Sequence, residues 1–111
     1  MSVMKLSPRF SATGQISVDD LAGIAAEGFK SIINNRPDGE GGLEQPLSGD
    51  LAAVAAELGL VYLYVPVISG SITQQNIGDF EKACENLEGP TLLFCRTGAR
   101  STMLLNLATV A

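Results

Sequence analysis

Short apolar runs alternate with helix-forming stretches along this chain, and that alternation restricts it to one fold class. Residues 29–34, 60–65 and 91–94 are rich in aliphatic and aromatic side chains and are too short for helices, so they read as strands. Four helical stretches lie around them. Ser17 is placed to N-cap the first, Asp19 and Asp20 suit its first turn, and Leu21, Ile24 and Ala25 give it an apolar face that Gly28 ends. A second helix is expected from about Ser48 to Leu58, stopped by Gly59. Thr73 is expected to cap a third that ends near Gly89, and residues 101–110 form the last. Strands separated by helices on short connections pair in parallel, which gives an α/β layer fold. At 111 residues the chain is expected to form a single domain over 1–111. In such sheets ligands sit beyond the carboxyl ends of the strands, so the loops 35–42, 67–71 and 95–100 should meet there.

The last of these loops carries the chemistry. An apolar run ends on Cys95, and Arg96, Thr97, Gly98, Ala99, Arg100 and Ser101 follow at the expected start of a helix. Amide N–H groups at a helix N-terminus have no intrahelical partner, and the helix dipole adds positive potential there. The planar fork of Arg100 matches two oxygens of a phosphate- or sulfate-like group. Gly98 allows a tight turn and close backbone approach. A thiol at the mouth of such a loop is a nucleophile, its pKa expected to fall from about 8.5 into a range of roughly 3.5–7.5.

Composition removes several alternatives. The net charge of −5 argues against a nucleic-acid surface. Only seven residues are basic, and Arg96 and Arg100 both stand in the segment that begins at Cys95, a focusing that suits a small anion. No histidine is present, which removes Ser-His and Cys-His pairs and leaves a poor ligand set for zinc; no metal or cofactor is expected. No stretch approaches the ~20 apolar residues of a membrane span, and the first ten residues have no apolar signal core. A reduced cytoplasmic setting is expected, without a structural disulfide between Cys84 and Cys95.

The remaining polar residues admit two readings each. Cys84 shares a helix face with Ile77, Phe80 and Leu87 and reads as packing. Arg36 is either a third anion contact or a structural arginine paired with a loop acid; the second is preferred. Asp38 and Glu40 either shape a Pro-Asp-Gly turn or supply a proton. Arg96 is expected at the loop rim, raising the local potential. Ser101 is either the helix N-cap or a hydroxyl that assists the thiolate.

The segments GFKSIINNRPDGE (residues 28–40) and FCRTGARS (residues 94–101) resemble the phosphatase-like domain of the bacterial beta-lactamase hydrolase-like family. Gly14-Gln15-Ile16 and Val65-Pro66-Val67 also fit, so the resemblance covers nearly the whole chain. It implies a fold similar to dual-specificity and tyrosine phosphatases: three layers, with a mainly parallel sheet and helices on both faces. It also implies Cys95 as nucleophile and Arg100 as anion-binding arginine. Family members fused to sulfide-oxidation enzymes suggest such enzymes as partners.

The chain departs from tyrosine phosphatases in three respects. Four residues rather than five separate Cys95 from Arg100, Phe94 stands where those enzymes have histidine, and loop 67–71 has no acid. The Cys-Arg-x-Gly-x-Arg pattern is similar to rhodanese-type sulfurtransferases. Phosphoester cleavage must protonate a poor leaving group, and losing a positioned acid costs about 10²–10⁴-fold. Sulfane-sulfur transfer expels a good leaving group such as sulfite. The expected activity is therefore sulfur transfer from thiosulfate or a persulfide through Cys95. The alternatives are phosphomonoester hydrolysis through a phosphocysteine and a catalytically idle binding module.

Overall fold

The computed structural model describes residues 2–110; the expected domain bounds at Met1 and Ala111 lie outside them. Five strands form one sheet: β1 (Met4–Lys5), β2 (Phe10–Thr13), β3 (Ser31–Asn34), β4 (Val61–Tyr64) and β5 (Thr91–Phe94). Their order is β1-β2-β5-β3-β4, with β1 antiparallel to β2 and every other pair parallel. Four α-helices are present: α1 (Leu21–Ala26), α2 (Ser48–Glu57), α3 (Gln74–Cys84) and α4 (Ala99–Leu107).

Two apolar cores lie on opposite faces of the sheet, because successive side chains in a strand point to opposite sides. Leu92 and Phe94 of β5 join Ile32 and the buried residues of α1 and α2, among them Leu21, Ile24, Leu51 and Ala55. Leu93 joins Ile33, Phe80 and Cys84 of α3, and Leu104 of α4. The result is the expected three-layer arrangement.

Several boundaries differ from the sequence expectation. β1 and β2 were not expected. β2 carries Ser11 and Thr13 at buried positions, so it lacks a strand-like apolar pattern, and β1 is only two residues long. Ser17 begins a 3-10 turn (Val18–Asp20) rather than an α-helix, its N–H held by Asp20 Oδ2 at 2.8 Å. Thr73 does cap α3, accepting from Asn76 N at 3.1 Å, but the helix ends at Cys84, short of Gly89. α4 starts two residues early, at Ala99, because Gly98 takes the left-handed conformation (φ 95°) that turns the chain into the helix.

The parallel register places the site. Phe94 lies opposite Thr13 on one side and Asn34 on the other, and Asn34 in turn lies opposite Tyr64. The strands therefore end level, and the loops after β2, β3, β4 and β5 start side by side.

Candidate active site

Cys95 is the first residue beyond β5, and only 1 % of its surface is exposed. It lies at a cavity of about 940 Å³ whose walls come from loops 36–41 and 68–72, loop 95–100 and helix α4. The three loops expected to meet do so.

The thiol is held by backbone amides. Gly98 N–H donates to Sγ at 3.1 Å. Burial pushes the thiol pKa up, but the amides of Ser101, Thr97 and Gly98 outweigh it and leave Cys95 below its ordinary value. The helix-start amides of the sequence argument thus act directly on the sulfur. Cys84 is the contrast: it is buried in the core and pushed up to about 11 by that burial.

Close backbone packing fixes the loop. A Cβ on Gly98 would stand 3.2 Å from Met4 Cε and 3.3 Å from the Thr13 carbonyl carbon. One on Gly14 would stand 3.0 Å from the Arg96 carbonyl oxygen, which accepts from Gln15 N–H at 3.2 Å. Ser101 is not the helix N-cap. It lies inside α4, fully buried, and its hydroxyl donates to Asn35 Oδ1 at 2.8 Å while Asn35 Nδ2 donates to the Val65 carbonyl at 2.9 Å. Asn35 therefore ties loop 35–42 both to the end of β4 and to the helix behind Cys95.

Glu40 and Arg100 form the other wall. Arg100 Nη1 donates to Glu40 Oε2 and Nη2 to Oε1, both at 2.9 Å, and Nη1 also reaches the Val67 carbonyl at 2.8 Å. Arg36 Nε holds the same Glu40 Oε1 at 3.0 Å, and its Nη1 donates to Gln15 Oε1 at 3.1 Å. Arg36 thus lines the cavity while paired with a loop acid. A Cβ on Gly41 would meet Arg36 Nη2 at 2.8 Å, so glycine there makes room for the guanidinium. The hydrogen bonds from Arg100 outweigh partial burial and, with those from Arg36, hold Glu40 below the ordinary carboxylate range. Arg100 Nε is buried with no hydrogen-bond partner among the described residues.

Asp38 faces away from this chemistry. It is exposed and outside the cavity lining; its Oδ1 accepts from Ser48 N at 2.8 Å, satisfying the start of α2. Its own N–H donates to Tyr64 Oη at 2.8 Å. Asn34 braces the same loop, accepting from Arg36 N at 2.8 Å and donating to Tyr62 Oη at 3.0 Å. Arg96 and Thr97 are exposed at the cavity rim, and Ala99 also faces it.

Sequence reasoning missed Gln15 and Asn35 as bracing residues and the apolar wall formed by Ile68, Ile72, Met103 and Leu107. Gly14-Gln15-Ile16 stood out only through the family resemblance; Ile68 fell in a loop expected at the site, and Met103 and Leu107 in the last helix, without a role for any of them.

Residues 2–111 match the family described as the beta-lactamase hydrolase-like protein, phosphatase-like domain. A beta-lactamase hydrolase-like protein of Xylella fastidiosa (strain Temecula1 / ATCC 700964) is 39 % identical over 110 residues, which is 99 % of this chain and 25 % of the relative. This chain thus spans about a quarter of the length of the curated relatives it matches. Among solved structures, a Neisseria meningitidis protein provisionally assigned as a phosphatase superposes with a TM-score of 0.85 at 30 % identity, covering 95 % of this chain and 74 % of the other. The core catalytic domain of the S. cerevisiae PP-IP phosphatase SIW14 superposes with a TM-score of 0.71 at 14 % identity, covering 93 % and 61 %, and shares the fold.

Proposed function

The chain belongs to the family of the beta-lactamase hydrolase-like protein phosphatase-like domain; within that family we propose, from the make-up of its site, a cysteine-dependent enzyme that carries a sulfane sulfur on Cys95. One observation carries the choice of reaction: the cradle that activates Cys95 has no carboxyl group available as a proton donor. Glu40 is held ionised by two arginines, Asp38 is committed to the start of α2, and loop 68–72 contributes no acid to the cavity.

In the proposed reaction the Cys95 thiolate attacks the outer sulfur of thiosulfate. The new bond is Cys95 S–S, the bond broken is S–S(sulfite), and sulfite departs with the electron pair, so no proton is required. The loop amides hold the persulfide anion. An acceptor thiolate then takes the terminal sulfur and regenerates the Cys95 thiolate. Arg100 binds the anionic donor through the unpartnered Nε and the Nη groups that Glu40 now occupies, and Arg96 draws anions to the rim. A thiosulfonate or low-molecular-weight persulfide would react in the same way.

Phosphomonoester hydrolysis is the second reading, favoured by the family and by the fold. It needs a proton for the departing alkoxide, and Glu40 is the acid that lines the cavity. Parallel assays with thiosulfate and an aryl phosphate, on native protein and Cys95→Ser, separate the two. Sulfur transfer predicts thiosulfate-dependent persulfide that Cys95→Ser abolishes. Aryl-phosphate turnover lost in Cys95→Ser and lowered in Glu40→Gln, without persulfide, would establish the phosphatase instead.

A further inference from the structure

The cavity over Cys95 has two kinds of lining. One is the thiol, the loop residues 96–99 and Arg100; the other is apolar, Ile68, Ile72, Met103 and Leu107. Ile68 is 67 % exposed, Met103 57 % and Leu107 53 %, whereas Leu104 between them is fully buried in the core. The inner face of α4 thus supplies the core, and Ile68, Met103 and Leu107 lie outside it, while Ile72 packs partly against it. Met103 and Leu107 are four residues apart and so lie on one helix face, one turn above the other. The eight steps from Ala99 to Leu107 carry that face about 12 Å from the loop. Scattered exposed apolar residues are ordinary, but a contiguous set around a single concave site marks a binding surface.

From this juxtaposition we infer that the enzyme selects an amphiphilic anion: an anionic head held at Cys95 and Arg100, joined to an apolar body lying along Met103, Leu107, Ile68 and Ile72. The inference rests on the reading of the Cys95 loop as an anion cradle. The charged residues lining the cavity are Arg36, Glu40, Arg96 and Arg100, and three of them are tied together through Glu40. A sugar, nucleoside or zwitterionic peptide body would therefore find no ionic partner along the apolar wall, and its desolvated polar groups would oppose binding. A phenyl or alkyl group would instead gain from leaving water, by about fourfold in affinity per methylene buried. In the sulfur-transfer reaction the matching donor is an aryl or alkyl thiosulfonate. Cys95 takes its outer sulfur, the S–S bond breaks, and the sulfinate leaves with the electron pair.

Unreactive sulfonates test the surface apart from the chemistry. Protection of Cys95 from iodoacetamide is titrated with methanesulfonate and benzenesulfonate on the native protein, Met103→Glu and Ile68→Asp. Benzenesulfonate should half-protect native protein at a concentration at least tenfold below methanesulfonate, and both variants should narrow that ratio to less than threefold. A native ratio below threefold, or a ratio that both variants leave intact, overturns the inference. Persulfide formation from thiosulfate is scored on the same preparation. A tenfold ratio without persulfide upholds the apolar wall and rejects sulfur transfer; persulfide with a ratio near one does the reverse.

Discussion

The two cysteines differ by environment alone. Cys95 meets the amides of Thr97, Gly98 and Ser101 and sits below its ordinary value, whereas Cys84 meets apolar side chains and is pushed up to about 11. Alkylation at neutral pH should label Cys95 first, with a midpoint below the ordinary 9.0, and leave Cys84 unreacted in folded protein. Equal labelling rates would contradict this. A thiol whose folded pKa is depressed stabilises the fold above its unfolded value, and that contribution is lost as pH falls through the folded one. Glu40 follows the same sign at lower pH: its ion pairs stabilise above 4.5 and fade as acid protonates it through its depressed value. Glu40→Gln keeps an oxygen facing Arg100 and removes the charge. Sulfur transfer should then change by no more than about threefold, against the roughly 10²–10⁴-fold loss that removal of a general acid brings. A loss of that size in steady-state turnover would identify Glu40 as the proton donor.

At the scale of elements, the site is a matter of where β5 stops and α4 starts. The strand and the Cys-Arg-Thr-Gly-Ala-Arg loop were legible because an apolar run ending in cysteine and glycine has few other readings. The start of α4 was misplaced because Ser101 has the side chain of an N-cap, while the left-handed Gly98 sets the turn and Ser101 is committed to Asn35. β2 was missed because Ser11 and Thr13 look like loop residues until β1 and β5 cover them on both edges. The meeting of loops 36–41 and 95–100 followed from parallel pairing, but the two-arginine clasp on Glu40 is a tertiary fact without sequence periodicity. The apolar wall was hidden because α4 is apolar on several faces, so its outer residues resembled its inner ones. Gly98→Ala forces a left-handed alanine against Met4 and Thr13, at a cost of about 1–3 kcal/mol. Denaturant unfolding should register that loss, and the Cys95 alkylation midpoint should rise as its amide contact shifts. Ser101→Ala leaves the buried Asn35 Oδ1 unpaired, a cost of about 1–3 kcal/mol. An unchanged midpoint in Gly98→Ala would contradict the amide cradle.

For the whole molecule, a sheet between two apolar cores separates what holds the fold from what performs the chemistry. Phe80 is fully buried on α3 and is absent from the lining of the cavity over Cys95. Phe80→Ala should lower unfolding free energy by about 3–5 kcal/mol while folded protein keeps its Cys95 alkylation midpoint. A midpoint that moved with it would mean that the core and the site are not separable. The chain is acidic overall, yet Arg36, Arg96 and Arg100 converge on one cavity, so attraction for small anions is local rather than global. The central claim is that this phosphatase-like fold carries sulfur. Intact-protein and peptide mass spectrometry after incubation with thiosulfate tests it most directly. The account predicts one added sulfur on Cys95, discharged by a thiol and absent from Cys95→Ser. Unmodified Cys95, with no sulfur delivered to the thiol, would contradict it.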